Sequence, residues 1–219
     1  KIEADDIVFD DLTVVICGDL VEGILRESSL TKLREPVTDT VIRLAEFLSE
    51  WIYQLSIRLE TKVNVVIIGG NHDTVRSLTS RPMFEGENLT KIVVEFIKLR
   101  LQDINWITVD DYQDVAIKNI QGVNVMFQHG EDKDLKTTMD YFSNLYNIDV
   151  DEIVAGHLHR GESKTVGITE LGDRQVTRIG SIIGTDSYAK QIRASARPSC
   201  YIALYEEDNG KTWSRNYYL

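Results

Sequence analysis

Four places in this 219-residue sequence repeat one arrangement: an apolar run, a turn, and then side chains able to bind metal. Val14-Val15-Ile16-Cys17-Gly18 leads to Asp19, and Val65-Val66-Ile67-Ile68-Gly69-Gly70 leads to Asn71, His72 and Asp73. Val125-Met126-Phe127-Gln128 leads to His129, and Ile153-Val154-Ala155-Gly156 leads to His157, Leu158 and His159. The chain has four histidines, and all of them fall at these four places. One histidine near a strand end reads most simply as a satisfied polar residue. All four there, with none on a helix face or a remote loop, read as ligands and acid–base groups. Imidazole nitrogen with carboxylate and amide oxygen is a mixed, fairly hard donor set suited to manganese, iron or zinc, and the amide favours manganese or iron. A structural zinc site draws on cysteine, and Cys17 and Cys200 stand in no ligand spacing. The spacing of His157 and His159 asks for strand or loop. An extended backbone puts both rings on one side, whereas a helix would part them by about 200°.

These side chains need elements that deliver them together. Leu12–Ile16 and Val63–Ile68 are continuous, β-branched apolar runs and predict buried strands. Between them Pro36 opens a helical pattern in which Val37, Val41, Leu44, Ala45, Leu48, Ile52, Leu55 and Leu59 recur every three or four residues. Asn88 predicts the cap of a second helix carrying Leu89, Ile92, Val93 and Phe96. A strand near Ile104–Val109 follows, then a hairpin of Val115–Ile120 and Val123–Phe127 through Gln121-Gly122. Asp134–Tyr146 reads as helix and Glu152–Ala155 as a short buried strand. From Glu162 onward the pattern turns to hairpins, with turns at Gly172-Asp173 and Asp208-Asn209-Gly210. Strand–helix–strand early and hairpins late predict an α/β layered fold. In open α/β sheets, ligands collect beyond the carboxyl ends of the strands, where the four groups of candidates lie.

Composition sets the outer limits. Hydrophobic residues make 42% and charged residues 27%, so the chain carries enough apolar surface for a core and is not disordered throughout. No apolar run approaches the roughly 18–20 residues of a membrane span. Lys and Arg number 24 against 35 Asp and Glu, a formal charge of −11, which repels nucleic acid unless bound cations or a local basic patch reverse the field. The basic residues from Lys91 to Arg100 form such a patch only if they share a face. Two cysteines cannot build a disulfide framework, which fits a reducing, cytoplasmic setting. No repeat or linker marks a boundary, so residues 1–219 read as one domain.

Taken together, Gly18-Asp19, Gly70-Asn71-His72-Asp73, His129-Gly130 and Gly156-His157-Leu158-His159, with Gly180-Ser181 after them on the next strand, resemble the calcineurin-like metallophosphoesterase superfamily. The resemblance spans residues 12–185. It implies a four-layer α-β-β-α sandwich of two mixed β-sheets flanked by helices. It implies two divalent metal ions, manganese first, with iron or zinc as alternatives. Asp19 would bridge the two, Asn71, His129 and His157 would complete the second, and His159 would bind the first. His72 would act beside the metals as general acid, oriented by Asp73. Asn71 and Arg160 would contact the substrate phosphate, with Arg76, Arg81 and Arg197 as weaker candidates and Tyr188 in a loop over the site. The superfamily's D-x-H element has no counterpart here, since residues 1–11 contain no His. That implies either a chain that starts after this strand or a protein that has lost the element, with one metal bound better than the other. Gly180–Ala189 is similar to phage and prophage members near the DNA-repair exonucleases. The expected activity is phosphoester hydrolysis by hydroxide held between two metals, on a diester such as DNA or a nucleotide. A phosphomonoesterase and an inactive binding scaffold are the alternatives. Oligomeric state is not legible.

Overall fold

The computed structural model describes residues 9–23, 33–75, 86–184 and 196–219. They fall into two compact units, Lys1–Gln113 and Asp114–Leu219. Together they make a mixed α/β fold with two main sheets and flanking helices.

In the first unit β1 (Asp11–Cys17), β2 (Lys62–Ile68) and β3 (Ile107–Val109) form a sheet in that order. Among the described residues both pairings are parallel. Parallel neighbours need a crossover, and the two helices supply it. Helix α1 (Val37–Leu59) begins directly after Pro36, where a residue without an N–H costs the helix nothing. It buries Val41, Ala45, Leu48 and Ile52 against a core that also takes Val63, Val65 and Ile67 of β2 and Val93, Val94 and Ile97 of α2 (Leu89–Leu101). Asn88 caps α2, its Oδ1 accepting from the Thr90 N–H at 2.9 Å. The third strand is shorter than its pattern suggests. Ile104 and Ile107 are tied into turns by bonds to the Leu101 and Ile104 carbonyls, which leaves only Ile107–Val109 to pair with β2.

The second unit holds a five-stranded sheet in the order β4-β5-β6-β8-β7 and a two-stranded hairpin of β9 and β10. Strands β4 (Val115–Ile120) and β5 (Val123–Gln128) are antiparallel. Their two-residue turn has positive φ at Gln121 (49°) and Gly122 (87°), as the right-handed strand twist requires. Strands β5, β6 (Glu152–Ala155) and β8 (Gly172–Arg178) run parallel, and β7 (Glu162–Thr169) returns antiparallel to β8. The β7–β8 reversal falls at Glu170-Leu171, two residues before the expected Gly172-Asp173, which lies inside β8. Helix α3 (Leu135–Tyr146) crosses from β5 to β6 and buries Leu135 and Met139 on Met126, Ile153 and Ala155. The hairpin of β9 (Ser199–Glu206) and β10 (Gly210–Tyr218) is tied to the sheet at Glu152. That buried carboxylate accepts from Lys211 Nζ (2.6 Å), Tyr205 Oη (2.8 Å) and Thr177 Oγ1 (2.7 Å).

Candidate functional site

Each group of candidate residues sits just beyond the carboxyl end of a strand, as the pattern predicted. In the first unit, β1 ends at Cys17 and β2 at Ile68 in register, so Asp19 and the Gly70–Asp73 turn leave the sheet side by side. The two are stitched together. Asp19 Oδ1 accepts from the backbone N–H of His72 at 3.0 Å, and a Cβ at Gly70 would collide with the backbone nitrogen of Asp19. Only glycine allows so close an approach. A side chain at Gly23 would likewise strike the His72 carbonyl. Asn71 and His72 are half-buried and Asp73 is fully buried.

Asp73 does not bond to the ring of His72. Its Oδ1 accepts from the Val21 N–H (3.0 Å), and its Oδ2 from the Gly70 N–H (2.9 Å) and the Thr90 hydroxyl (3.0 Å). Burial pushes this carboxyl above the usual carboxylate range. The three donors work against that rise and the nearby Asp19 charge adds to it. The carboxylate facing the imidazole is instead Glu22, with Oε2 3.9 Å from His72 Nδ1. Sequence reading passed over Glu22. The signal available was its place three residues after Asp19 and beside Gly23, in the turn that leaves β1. Asn88 and Thr90 were also missed as parts of the site. Asn88 Nδ2 donates to the Gly70 carbonyl at 3.1 Å, so the first turn of α2 braces the loop that carries Asn71 and His72.

In the second unit, β5 and β6 are parallel neighbours and end opposite one another, Gln128 against Ala155. His129 and His157 therefore meet. Nδ1 of His157 lies 3.1 Å from Nε2 of His129, with the rings edge to face. Two imidazole nitrogens each about 2.1 Å from one ion would lie at about this separation, so the pair fits a shared cation. His129 is buried, and His157 and His159 are half-buried. His157 and His159 are not extended: their φ values are 63° and 56°. A bond from the Leu158 N–H to the Gly156 carbonyl (2.8 Å) makes His157 the centre of a γ-turn of the strained, positive-φ kind. Among the described residues seven non-glycines have positive φ. Glu60 and Asn147 are helix caps, and Gln121 and Asp208 lie in hairpin turns. The other three are Asp19 (55°), His157 and His159, all candidate ligands. Backbone held in that region at a cost of about 1–3 kcal/mol each is characteristic of functional sites.

The candidate phosphate contacts fare differently. Arg160 is exposed and lies 3.6 Å from Glu162, and Arg197 stacks on the Tyr218 ring. Arg76, Arg81 and Tyr188 lie outside the described residues. The cations of α2 are each engaged: Lys98 pairs with Asp111 and Glu95, Lys91 sits over the Tyr112 ring, and Arg100 lies 4.0 Å from Glu46. Gly180-Ser181 falls in the loop just past β8 and not on a strand.

A family model for the calcineurin-like phosphoesterases matches residues 5–161. The chain belongs to the calcineurin-like phosphoesterase family. Among curated proteins this phosphoesterase-family chain is similar to an uncharacterized protein derived from the SPbeta prophage of Bacillus subtilis (strain 168). The two are 28% identical over 214 residues, covering 96% of this chain and 53% of the relative. The chain thus spans about half the length of the curated relative it matches. Among solved structures it is similar to vacuolar protein sorting 29 from Cryptosporidium parvum (15% identity, 97% of this chain and all of the other, TM-score 0.45). It is also similar to an archaeal phosphodiesterase (12% identity, 94% and 99% coverage, TM-score 0.45). No described helix is long and apolar enough to cross a membrane.

Proposed function

We propose that the chain is a divalent-metal-dependent phosphoesterase domain acting on a phosphodiester of nucleic-acid or nucleotide type. The observation that carries the metal reading is the convergence of His129 Nε2 and His157 Nδ1 at 3.1 Å. In this reading the two units act as one domain. Asp19, Asn71, His129 and His157 would hold one cation, and Asp19 and His159 would contribute to a second, with manganese the best match to the donor set. When bound, divalent cations supply Lewis-acid charge to the phosphoryl oxygens and activate water as the nucleophile.

The protein's own groups do the rest. His72 protonates the departing oxygen. Its Nδ1 faces Glu22, which leaves Nε2 to deliver the proton. Asp73 acts at one remove: by holding the N–H groups of Val21 and Gly70 it fixes the two turns that carry Asp19, Asn71 and His72. Asn71 and Arg160 meet the phosphate, Arg160 by leaving Glu162. The family membership and the strained backbone at Asp19, His157 and His159 favour catalysis over a scaffold, which has no need of a general acid.

The deciding experiment compares hydrolysis of bis(p-nitrophenyl) phosphate and p-nitrophenyl phosphate by the manganese-loaded chain, with His72→Ala as control. Diester cleavage lost in His72→Ala supports the proposal. Monoester preference moves the activity to a phosphatase. Bound metal with no turnover on either substrate supports a scaffold.

A further inference from the structure

Arg178 ends β8 and is buried, 7% exposed. Its backbone pairs with Ala155 of β6 on one side and Glu162 of β7 on the other. The side chain reaches past β6 to the loop that follows β5. There Nη1 donates to the Gly130 carbonyl at 3.0 Å, and Nη2 to the carbonyls of Asp132 at 2.6 Å and Lys133 at 3.5 Å. Among the described residues no carboxylate pairs with it. Burial, with Arg160 nearby, pulls its pKa below the usual guanidinium range. A buried cation bonded only to neutral carbonyls is a costly way to fill space, and an apolar side chain would fill it at lower cost. What the guanidinium adds is a planar fork able to meet several carbonyls of one loop at once.

The loop it grips begins at His129. Gly130 has φ +101°, and a Cβ there would lie 2.8 Å from Ala155 Cβ and 3.4 Å from Arg178 Nη1. The backbone after His129 is therefore held between the end of β6, which leads into His157, and the Arg178 fork. We infer that Arg178 is a positioning residue that sets the imidazole of His129 against that of His157, and so determines the affinity of this pair for a divalent cation. This rests on the proposed metal reading of the pair.

Groups that orient ligands in this way typically change metal affinity by about 10–100-fold when replaced. The test is calorimetric titration of the 219-residue chain with Mn²⁺ alone, well below its melting temperature. It uses Arg178→Met, Arg178→Lys, His157→Ala and Met139→Ala. Met139 is fully buried in the α3 core, so its truncation loosens the same unit while leaving the three bonds from Arg178 to the loop carbonyls in place. The expected result is a 10–100-fold loss in Arg178→Met, an intermediate loss in Arg178→Lys, which keeps the charge but not the fork, and near wild-type affinity in Met139→Ala. Metal-free imidazole ¹⁵N spectra should show the His129 and His157 signals displaced in both Arg178 variants and unchanged in Met139→Ala. Wild-type affinity and spectra in the Arg178 variants, with loss in His157→Ala, would overturn the inference and leave the metal reading standing. Equal losses in Met139→Ala and Arg178→Met would overturn it in favour of general stability. Undiminished binding in His157→Ala would overturn the metal reading itself, and the inference with it. Should Arg178→Met fail to fold, Arg178→Lys carries the same comparison.

Discussion

In the proposed roles, truncating His72 to alanine removes a proton donor and no ligand, so acid and ligand functions separate at this residue. His72→Ala should lower kcat by about 10²–10⁴-fold while Mn²⁺ affinity stays near wild type; Asn71→Ala and His157→Ala should lose both. Parallel titration and turnover measurements check this, and equal metal loss in all three would reassign His72 as a ligand. Glu22→Gln should reduce kcat by about tenfold with metal binding intact, because the half-exposed carboxylate 3.9 Å from Nδ1 steers the ring and holds no ion. Asp73 tests differently. Asparagine there removes a buried charge that folding disfavours, yet its amide offers one acceptor where the turn supplies three donors, from Val21, Gly70 and Thr90. The unmatched N–H groups should cost about 1–3 kcal/mol in a denaturant melt. A stabilised Asp73→Asn would mean that desolvation outweighs the bonds. Adjacent in sequence, His72 and Asp73 thus belong to different networks, and no residue pattern could have separated them.

Between elements, the decisive contacts are close approaches and charge pairs. A Cβ at Gly70 meets the backbone nitrogen of Asp19, which cannot swing aside as a side chain could. Gly70→Ala should therefore part the ends of β1 and β2, at a cost of about 1–3 kcal/mol or more, and weaken metal binding with it; a melt and a Mn²⁺ titration read the two effects. Helix α3 is joined to β8 by Asp140, which meets Arg174 Nη1 at 2.6 Å and Lys136 Nζ at 2.8 Å. Lys136 and then Arg174 hold its carboxyl below the ordinary 3.8. A lowered folded-state pKa adds stability that is full above the unfolded value and is lost as pH falls through the folded one. Wild-type Tm should accordingly fall more steeply below about pH 4 than that of Asp140→Asn. Elements governed by local rules were legible: α1 from its periodicity and Pro36, α2 from its Asn88 cap, and the β4–β5 hairpin from Gln121-Gly122. The short β3 and the early β7–β8 turn were not. Both are decided by which backbone groups find partners, Ile104 and Ile107 closing turns and Gly172 pairing with Thr169.

At the scale of the whole chain, a formal charge of −11 and the engagement of the α2 cations by Asp111, Glu95, Glu46 and Tyr112 weigh against a basic patch on that helix. Without added metal the chain should show no tight binding of duplex DNA at about 0.15 M salt, where screening confines surface fields to about 8 Å; a fluorescence titration checks it. The second unit relies on the Glu152–Lys211 pair, 3% and 12% exposed. Lys211→Met alone should destabilise by about 3–5 kcal/mol by stranding a buried carboxylate, and Glu152→Gln combined with Lys211→Met should recover much of that loss. The sequence by itself determined the inventory: two buried-strand patterns flanking a long helix, and seven candidate side chains beyond four apolar runs. Both follow from side-chain chemistry and from periods a few residues long. Tertiary structure decided the wiring. Val21 reaches Asp73 across 52 positions, and Arg178 reaches Gly130 across 48. Contacts at such separations depend on strand order and register, which a local pattern does not encode, because many registers present the same residues and only packing of the assembled core selects among them.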